Sequence, residues 1–406
     1  MKSVKLASIL FYLNSVFVVF CFVSCGSSPT EASSLLTADI RGGMDKPGLL
    51  GLGDEIKGVT FVPLEVTTDD ASLIDGVYDY AVTDRYIYVL PVKEPRIVLF
   101  DRQGRFIRTL VKEGQGPGEF RGILPCIQVD ERNDRLFLFS NNRVWEYTLE
   151  GEFIGQSTHE YSVIYMRHIG KDRFAAISFP FQPFNGGGFG LGLFSRKGDT
   201  IAIKNDFYSL LPHEKSGFTT SIAPAYSDAQ NSVLFKTGSN DTVFCISADR
   251  ISAACVLDLK NSDAEVIRSL DVTDMSNLRI EKKDPKDIFV QDMIEFPGHY
   301  YFRLLYNQGY YIASVDKKTG KTLVEKCVMP GSIYELADAN LQHGMQGTRS
   351  YRNFPVWGRV IKDELVQVVT PYELNLYKSL RSITIPQELD LKGEEGNPVF
   401  VFYSLI

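Results

Sequence analysis

The sequence is poor in the side chains that usually announce catalysis or metal binding. Its 406 residues include five histidines, two tryptophans and six cysteines. None of His159, His168, His213, His299 and His343 stands in a His-x-His or His-Glu-x-x-His pattern, so no metal-ligand set is local in sequence. A Gly-x-Ser-x-Gly nucleophile elbow is missing as well. The acids of "DERND" (130–134) lack the oxygen ladder and central glycine of a calcium loop, and read as a charged turn. Neither a metal nor a cofactor is expected. Basic excess is also absent: 43 Lys and Arg face 50 Asp and Glu, which argues against nucleic acid or another polyanion as partner. After residue 24 no apolar run is long enough to cross a bilayer.

Aromatics, by contrast, are plentiful, with 27 Phe and 20 Tyr, and 33 Gly and 18 Pro are scattered along the chain. That mixture suits many short strands joined by many turns. A repeat orders them. "LFDRQGRFIRTL" (99–110), "EYTLEGEFIGQS" (146–157) and "LFSRKGDTIAIK" (193–204) place Gly104, Gly151 and Gly198 at one spacing of 47 residues. In each copy a strand ends, a charged turn closes on glycine, and an alternating strand leaves in the opposite direction. A further strand lies upstream: "RYIYVLP", "DRLFLFS" and "DRFAAISFP". Four antiparallel strands per forty-odd residues is the pattern of a β-propeller blade. Residues 231–257 and 288–326 supply two more units, the second turning at Thr319-Gly320. A sixth begins at 351, passes a helix at "PYELNLYKSLRS" and ends in "NPVFVFYSLI". It is one strand short, and "GVTFVPLEV" (58–66) can complete it by pairing the two ends of the chain. Six blades result; seven would require splitting one of the long units.

The N-terminus reads as a processing signal. Lys2 and Lys5 precede an apolar stretch from Ile9 to Val23, which ends in "FVSCGSS". This resembles the lipobox of bacterial lipoproteins, with cleavage after Ser24 and Cys25 as the lipidated residue. Residues 1–24 are then a lipoprotein signal peptide, 25–48 a flexible tether rich in Ser, Gly, Pro and Thr, and 49–406 the propeller. The lipid bilayer is the expected partner through the acyl anchor, and the expected address is the bacterial cell envelope, on either side of the outer membrane. Of the cysteines left in the fold, Cys245 and Cys255 sit in one expected hairpin. A turn centred on Asp249 would set Cys245 opposite Ala253 and leave Cys255 diagonal to it, whereas a one-residue shift would make them face each other.

The unit "GQGPGEFRGILPCIQVDERNDRLFLFSNNRVWEYTLEGEFIG" (114–155) is similar to an NHL-type propeller repeat. With its lipobox, its "FVPLE" strand, its "GQGPGEF" link and its terminal "NPVFVFY", the chain resembles the six-bladed β-propeller lipoproteins of gut Bacteroidales, an NHL/TolB-like group. The resemblance implies an all-β, six-bladed fold and an envelope address, and no defined activity.

"VKEGQGPGEF" (111–120) poses a separate question, because closely set glycines can cradle a phosphate. Here glycines alternate, Pro117 removes a donor, and a strand follows where a nucleotide loop would need a helix. A turn between blades is expected. Three other links are long, at 205–221, 261–287 and 331–357, and would gather on one face. Around their entrances Arg121, Tyr165, Arg167, His168, Tyr226, Tyr351, Arg352 and Trp357 are the candidate ligand-binding residues, offering planar donors and stacking faces to a glycan, a peptide or an envelope protein. A monomeric binding module is the leading expectation. A channel-centred lyase or hydrolase and a structural subunit of an envelope complex stand as alternatives, the catalytic residues being undefined.

Overall fold

The repeated turn closes as its sequence requires. Gly104, Gly151, Gly198 and Gly320 take φ of 81°, 88°, 95° and 73°, the left-handed region that glycine enters without steric cost. Each donates its N–H back to a carbonyl at or just past the end of the strand before it: Asp101, Thr148, Ser195 and Asp316, all at 2.9 Å. The computed structural model describes residues 35–48, 55–68, 70–121, 126–140, 142–159, 163–178, 190–204, 225–229, 232–236, 241–260, 287–307, 309–327, 358–379 and 396–406.

Six small sheets arise from these turns. The chain enters through β1 (Leu36–Ala38), α1 (Ile40–Asp45) and β2 (Ile56–Pro63). Blade one then comprises β3 (Val77–Val82), β4 (Tyr86–Pro91), β5 (Arg96–Asp101) and β6 (Phe106–Lys112). Blade two has β7 (Cys126–Asp130), β8 (Arg135–Ser140), β9 (Arg143–Tyr147) and β10 (Phe153–Thr158). Blade three has β11 (Val163–His168), β12 (Arg173–Ser178), β13 (Leu191–Ser195) and β14 (Thr200–Lys204). Blade four has β15 (Ala225–Ala229), β16 (Ser232–Lys236), β17 (Thr242–Ser247) and β18 (Ile251–Leu257). Blade five has β19 (Phe289–Glu295), β20 (His299–Tyr306), β21 (Gly309–Asp316) and β22 (Thr322–Cys327). Blade six has β23 (Arg359–Ile361), β24 (Glu364–Val369) and, after α2 (Pro371–Ser379), β25 (Val399–Leu405).

Alternation along the middle strands makes the ring. On β4, Ile87 and Val89 pack with Phe400 and Phe402 of blade six, while Tyr88 and Leu90 pack with Leu136 and Trp145 of blade two. Side chains of a strand point to opposite faces in turn, so a strand apolar at every position needs a neighbour on both sides. Six apolar clusters result, one between each pair of adjacent blades. This is a six-bladed β-propeller. The missing fourth strand of blade six is β2, which runs antiparallel to β25 with Ile56 opposite Leu405 and Pro63 opposite Val399. The early and late parts of the chain therefore close the ring together, as the pattern predicts.

Two readings are revised. The last part of the expected tether is folded: β1 adds in parallel to the outer edge of β18, and Ile40 and Met44 of α1 are buried in the cluster between blades four and five. Asp39 caps α1, its Oδ1 accepting the Gly42 N–H at 2.8 Å. An average over a Ser/Gly-rich stretch hides a three-residue strand whose partner is an exposed edge more than 200 residues away. In the β17–β18 hairpin the turn sets Cys245 opposite Ser252, and an irregularity between Val243 and Phe244 then shifts the register so that Cys255 faces Val243. Both thiols are free, and burial pushes that of Cys255 up to about 12.

Candidate functional site

The glycine loop is a self-satisfied turn. Gly114 N–H donates to the Phe120 carbonyl at 3.1 Å, Gly116 N–H to Glu119 Oε2 at 2.7 Å, and Glu119 N–H to the Gly116 carbonyl at 3.1 Å. Arg121 caps it from outside, Nε and Nη2 reaching the carbonyls of Gly114 and Gln115, both at 3.1 Å. Two glycine donors that a phosphate would need are thus already used, and a carboxylate occupies one of them. Arg121, expected at a ligand entrance, serves the loop itself.

The innermost strands carry the polar chemistry. In β3, β11 and β19 the register slips one residue near the start, between Val77 and Asp79, Val163 and Tyr165, and Val290 and Asp292. Such bulges re-aim the side chains beside them. Asp79, 3% exposed, accepts the N–H of Ile127 in the next blade at 2.7 Å and that of Tyr80 at 2.9 Å, and forms an ion pair with Arg359 of blade six. Arg359 also donates to the Tyr80 carbonyl at 3.0 Å and lies 4.8 Å over the Tyr80 ring. Arg167 donates to the Ile127 carbonyl at 3.2 Å and to the Tyr165 hydroxyl. Gln128 grips the backbone of His168, its amide donating to the His168 carbonyl at 2.7 Å and its oxygen accepting the His168 N–H. Side chains of one blade thus satisfy the inner-edge backbone of the next, which removes the liability of an open strand edge.

Several of the expected ligand residues are buried between blades. Tyr165 and Arg167 are 5% and 4% exposed, and Tyr165 meets Phe235 edge-on across blades three and four at 5.6 Å. His168 lies at the far end of β11 from the link that precedes it. Its ring stacks on Phe137 at 4.9 Å and sits 3.5 Å from Asp130 Oδ2. Burial lowers its pKa, with Asp130 acting in the opposite sense. His159 is buried against Phe174 and Phe194 and is likewise held toward the neutral form by burial. Tyr226 lies on β15 opposite Phe235 in register. Tyr351, Arg352 and Trp357 fall outside the described residues, as do nearly all of the three long links.

What sequence reading missed is a charged set on blades one, five and six: Asp79 and Arg359, with Asp292 and the facing Arg303, whose Nη2 is 3.7 Å from Asp292 Oδ2. Asp292, Arg303 and Arg359 keep 30%, 23% and 21% of their side chains exposed. Among the described residues no group of His, Cys, Asp and Glu could hold a metal. Burial raises the Asp292 pKa to about 6, against the backbone N–H of Met293 and the two arginines. The folded protein therefore holds this proton more tightly than the unfolded chain does. Its contribution to stability is full below about pH 4 and is lost as pH rises through 6. Asp292→Asn should remove a pH-dependent cost of at most about 3 kcal/mol, less for the part of the carboxyl that water reaches. Melting curves should then favour the variant by several degrees more at pH 7.5 than at pH 4; a pH-independent difference contradicts the assignment.

A family model described as "Domain of unknown function (DUF4934)" matches residues 35–404, and the chain belongs to that family. Its start, at Leu35, agrees with a fold that begins at β1. No curated protein matches the sequence. Among solved structures, the crystal structure of a Bacteroides fragilis protein inferred to be exported covers 91% of this chain and 99% of its own at a TM-score of 0.63, with 14% identity. At that identity the likeness is one of fold.

Proposed function

We propose that this DUF4934 propeller is an exported, envelope-anchored binding module that takes a polar ligand, a glycan or a peptide, at the link-side end of its innermost strands. The single observation behind this reading is the partly exposed pair Asp292 and Arg303, beside the Arg359–Asp79 ion pair that ties blade six to blade one. Planar guanidiniums and carboxylates alternate there, suiting hydroxyls, amides and chain termini that both donate and accept. The lipobox-like "FVSCGSS" supports acylation at Cys25, and the exported description of the Bacteroides fragilis neighbour accords with that address.

A second reading is a lyase or hydrolase at the same place, favoured by one feature: a carboxyl with a pKa near 6 beside two arginines has the acid–base range that proton transfer at neutral pH requires. Both readings meet one experiment. The purified protein is screened by thermal shift against glycans and peptides, and each stabilising compound is recovered and weighed by mass spectrometry. A ligand present well above its Kd must raise the Tm. Recovery intact supports the module and cleavage the enzyme; a ligand that shifts wild type and Arg303→Gln equally places binding elsewhere.

A further inference from the structure

Two of the three described histidines, His159 and His168, border one seam, the apolar cluster between blades two and three. Blade two brings Phe137 and Phe139 to it, and blade three brings Phe174 and Phe194. Phe174 meets both imidazoles, its centroid 6.2 Å from that of His159 and 5.4 Å from that of His168.

The two rings differ in how a proton would be received. His168 has a countercharge, Asp130 Oδ2 at 3.5 Å, with Asp172 and Glu146 acting in the same sense and Arg196 in the opposite one. His159 has none. It follows β10, donates its N–H to the Asn142 carbonyl at 2.7 Å, and is 3% exposed with neither ring nitrogen hydrogen-bonded. Phe174 and Phe194 meet its ring edge-on, and a Cβ at Gly198 would stand 3.4 Å from its Nδ1. The charges on the surrounding elements are engaged elsewhere or lie outward. Arg196 holds Glu146 and Asp172, Asp199 accepts the Ser195 hydroxyl, and Arg143 and Lys197 are exposed. Arg173 precedes Phe174 and so points to the opposite face of β12. Burial alone lowers the His159 pKa. A neutral imidazole is tolerated there, but an imidazolium would lose its hydration and gain no partner.

We infer that the seam between blades two and three is an acid-sensitive joint, in which protonation of His159 loosens blade three from blade two while the other blade contacts hold. The closed seam binds this proton less tightly than an opened one. The joint is therefore fully held above the ordinary histidine value of about 6.5 and weakens as pH falls below it. At pH 5.5, one unit lower, protonation favours the open seam by about tenfold. Asp292 on blade five is shifted in the opposite sense and favours the folded state in acid, so the loosening is local rather than global.

Hydrogen exchange read by mass spectrometry, corrected for the intrinsic pH dependence of amide exchange, tests this on the purified protein at pH 7.5 and 5.5. The reporters are the N–H groups of His159 and Gly198, bonded to the Asn142 and Ser195 carbonyls. The control is the Gly104 N–H, bonded to the Asp101 carbonyl in the equivalent turn of blade one. Exchange at the seam should accelerate about five- to tenfold on acidification, with blade one unchanged. His159→Leu should abolish most of that acceleration. His159→Gln, neutral but still polar, should do the same, so a packing fault in one variant does not decide the result. His168→Gln should remove only the smaller share, because Asp130 partly offsets the charge of His168. No acceleration at the seam, equal acceleration in blade one, or full acceleration in both His159 variants would each overturn the inference.

Discussion

Asp79→Ala should destabilise the protein by about 3–5 kcal/mol, the range for breaking one side of a buried, hydrogen-bonded ion pair. The carboxylate ties three blades together. It meets Arg359 of blade six, sits on blade one, and accepts the Ile127 N–H of blade two. Alanine leaves the Ile127 donor without its acceptor and Arg359 without its directly paired carboxylate, at a position only 3% exposed in the native state. Asp79→Asn keeps an oxygen for Ile127 and should lose roughly half as much, since the uncompensated arginine is then the main cost. Urea unfolding of the three proteins measures both. A loss below about 1 kcal/mol for the alanine variant would mean that water replaces the carboxylate, and that the lacing of inner strands is not what holds these blades in register.

Gly104→Ala carries the second large effect, for an unrelated reason. With φ at 81°, alanine there meets the left-handed penalty of about 1–2 kcal/mol. Its Cβ would also stand 2.2 Å from the Pro63 carbonyl oxygen and 3.0 Å from Val62 Cγ1. Both belong to β2, the strand that completes blade six, so relief requires moving the closing strand. The Glu65 N–H, which donates to the Gly104 carbonyl at 2.8 Å, would move with it. A total loss of about 3–5 kcal/mol is expected, read as a fall in Tm and an earlier urea midpoint. Gly155→Ala is the control, because nothing lies within 4 Å of the added methyl and φ is not positive; it should change stability by less than about 0.5 kcal/mol. Equal effects at the two glycines would show that the turn yields without disturbing ring closure.

The repeat also explains a contact that pattern alone did not suggest. In "LFDRQG" and "LFSRKG" the basic residue two positions before the turn glycine reaches the preceding blade. Arg102 pairs with Glu364 at 2.7 Å and lies 4.1 Å over Phe402, while Arg196 engages Glu146. "TLEG" has Leu149 there, and the link it makes is through its backbone, whose carbonyl accepts the Tyr88 hydroxyl at 3.3 Å. The charge in these turns reads as solvation in one dimension and as blade-to-blade attachment in three.

Candidate ligand residues were less legible than blades. Tyr165, Arg167 and His168 carry the right chemistry, and in a sequence nothing separates an arginine that meets a ligand from one that caps a neighbour's carbonyl. Asp292 and Arg359 stand in "FVQDMIE" and "GRVI", which look like ordinary strands. Their proximity depends on blades five, six and one meeting at the axis, and a bulge between Val290 and Asp292 decides which way the carboxylate points.

By itself the sequence determined what is periodic or local: strands, positive-φ turn glycines, the 47-residue repeat, the six blades and the donor strand at 58–66. These follow from alternation and steric limits acting within a few residues. Only the tertiary structure decided that β1 and α1 belong to the fold, that Cys245 and Cys255 stay apart, that the Gly114–Arg121 loop satisfies itself, and that Asp292 and Arg303 come to lie near Arg359. Each depends on one residue of register or on side chains from different blades, and such distances are set by the closing of the ring.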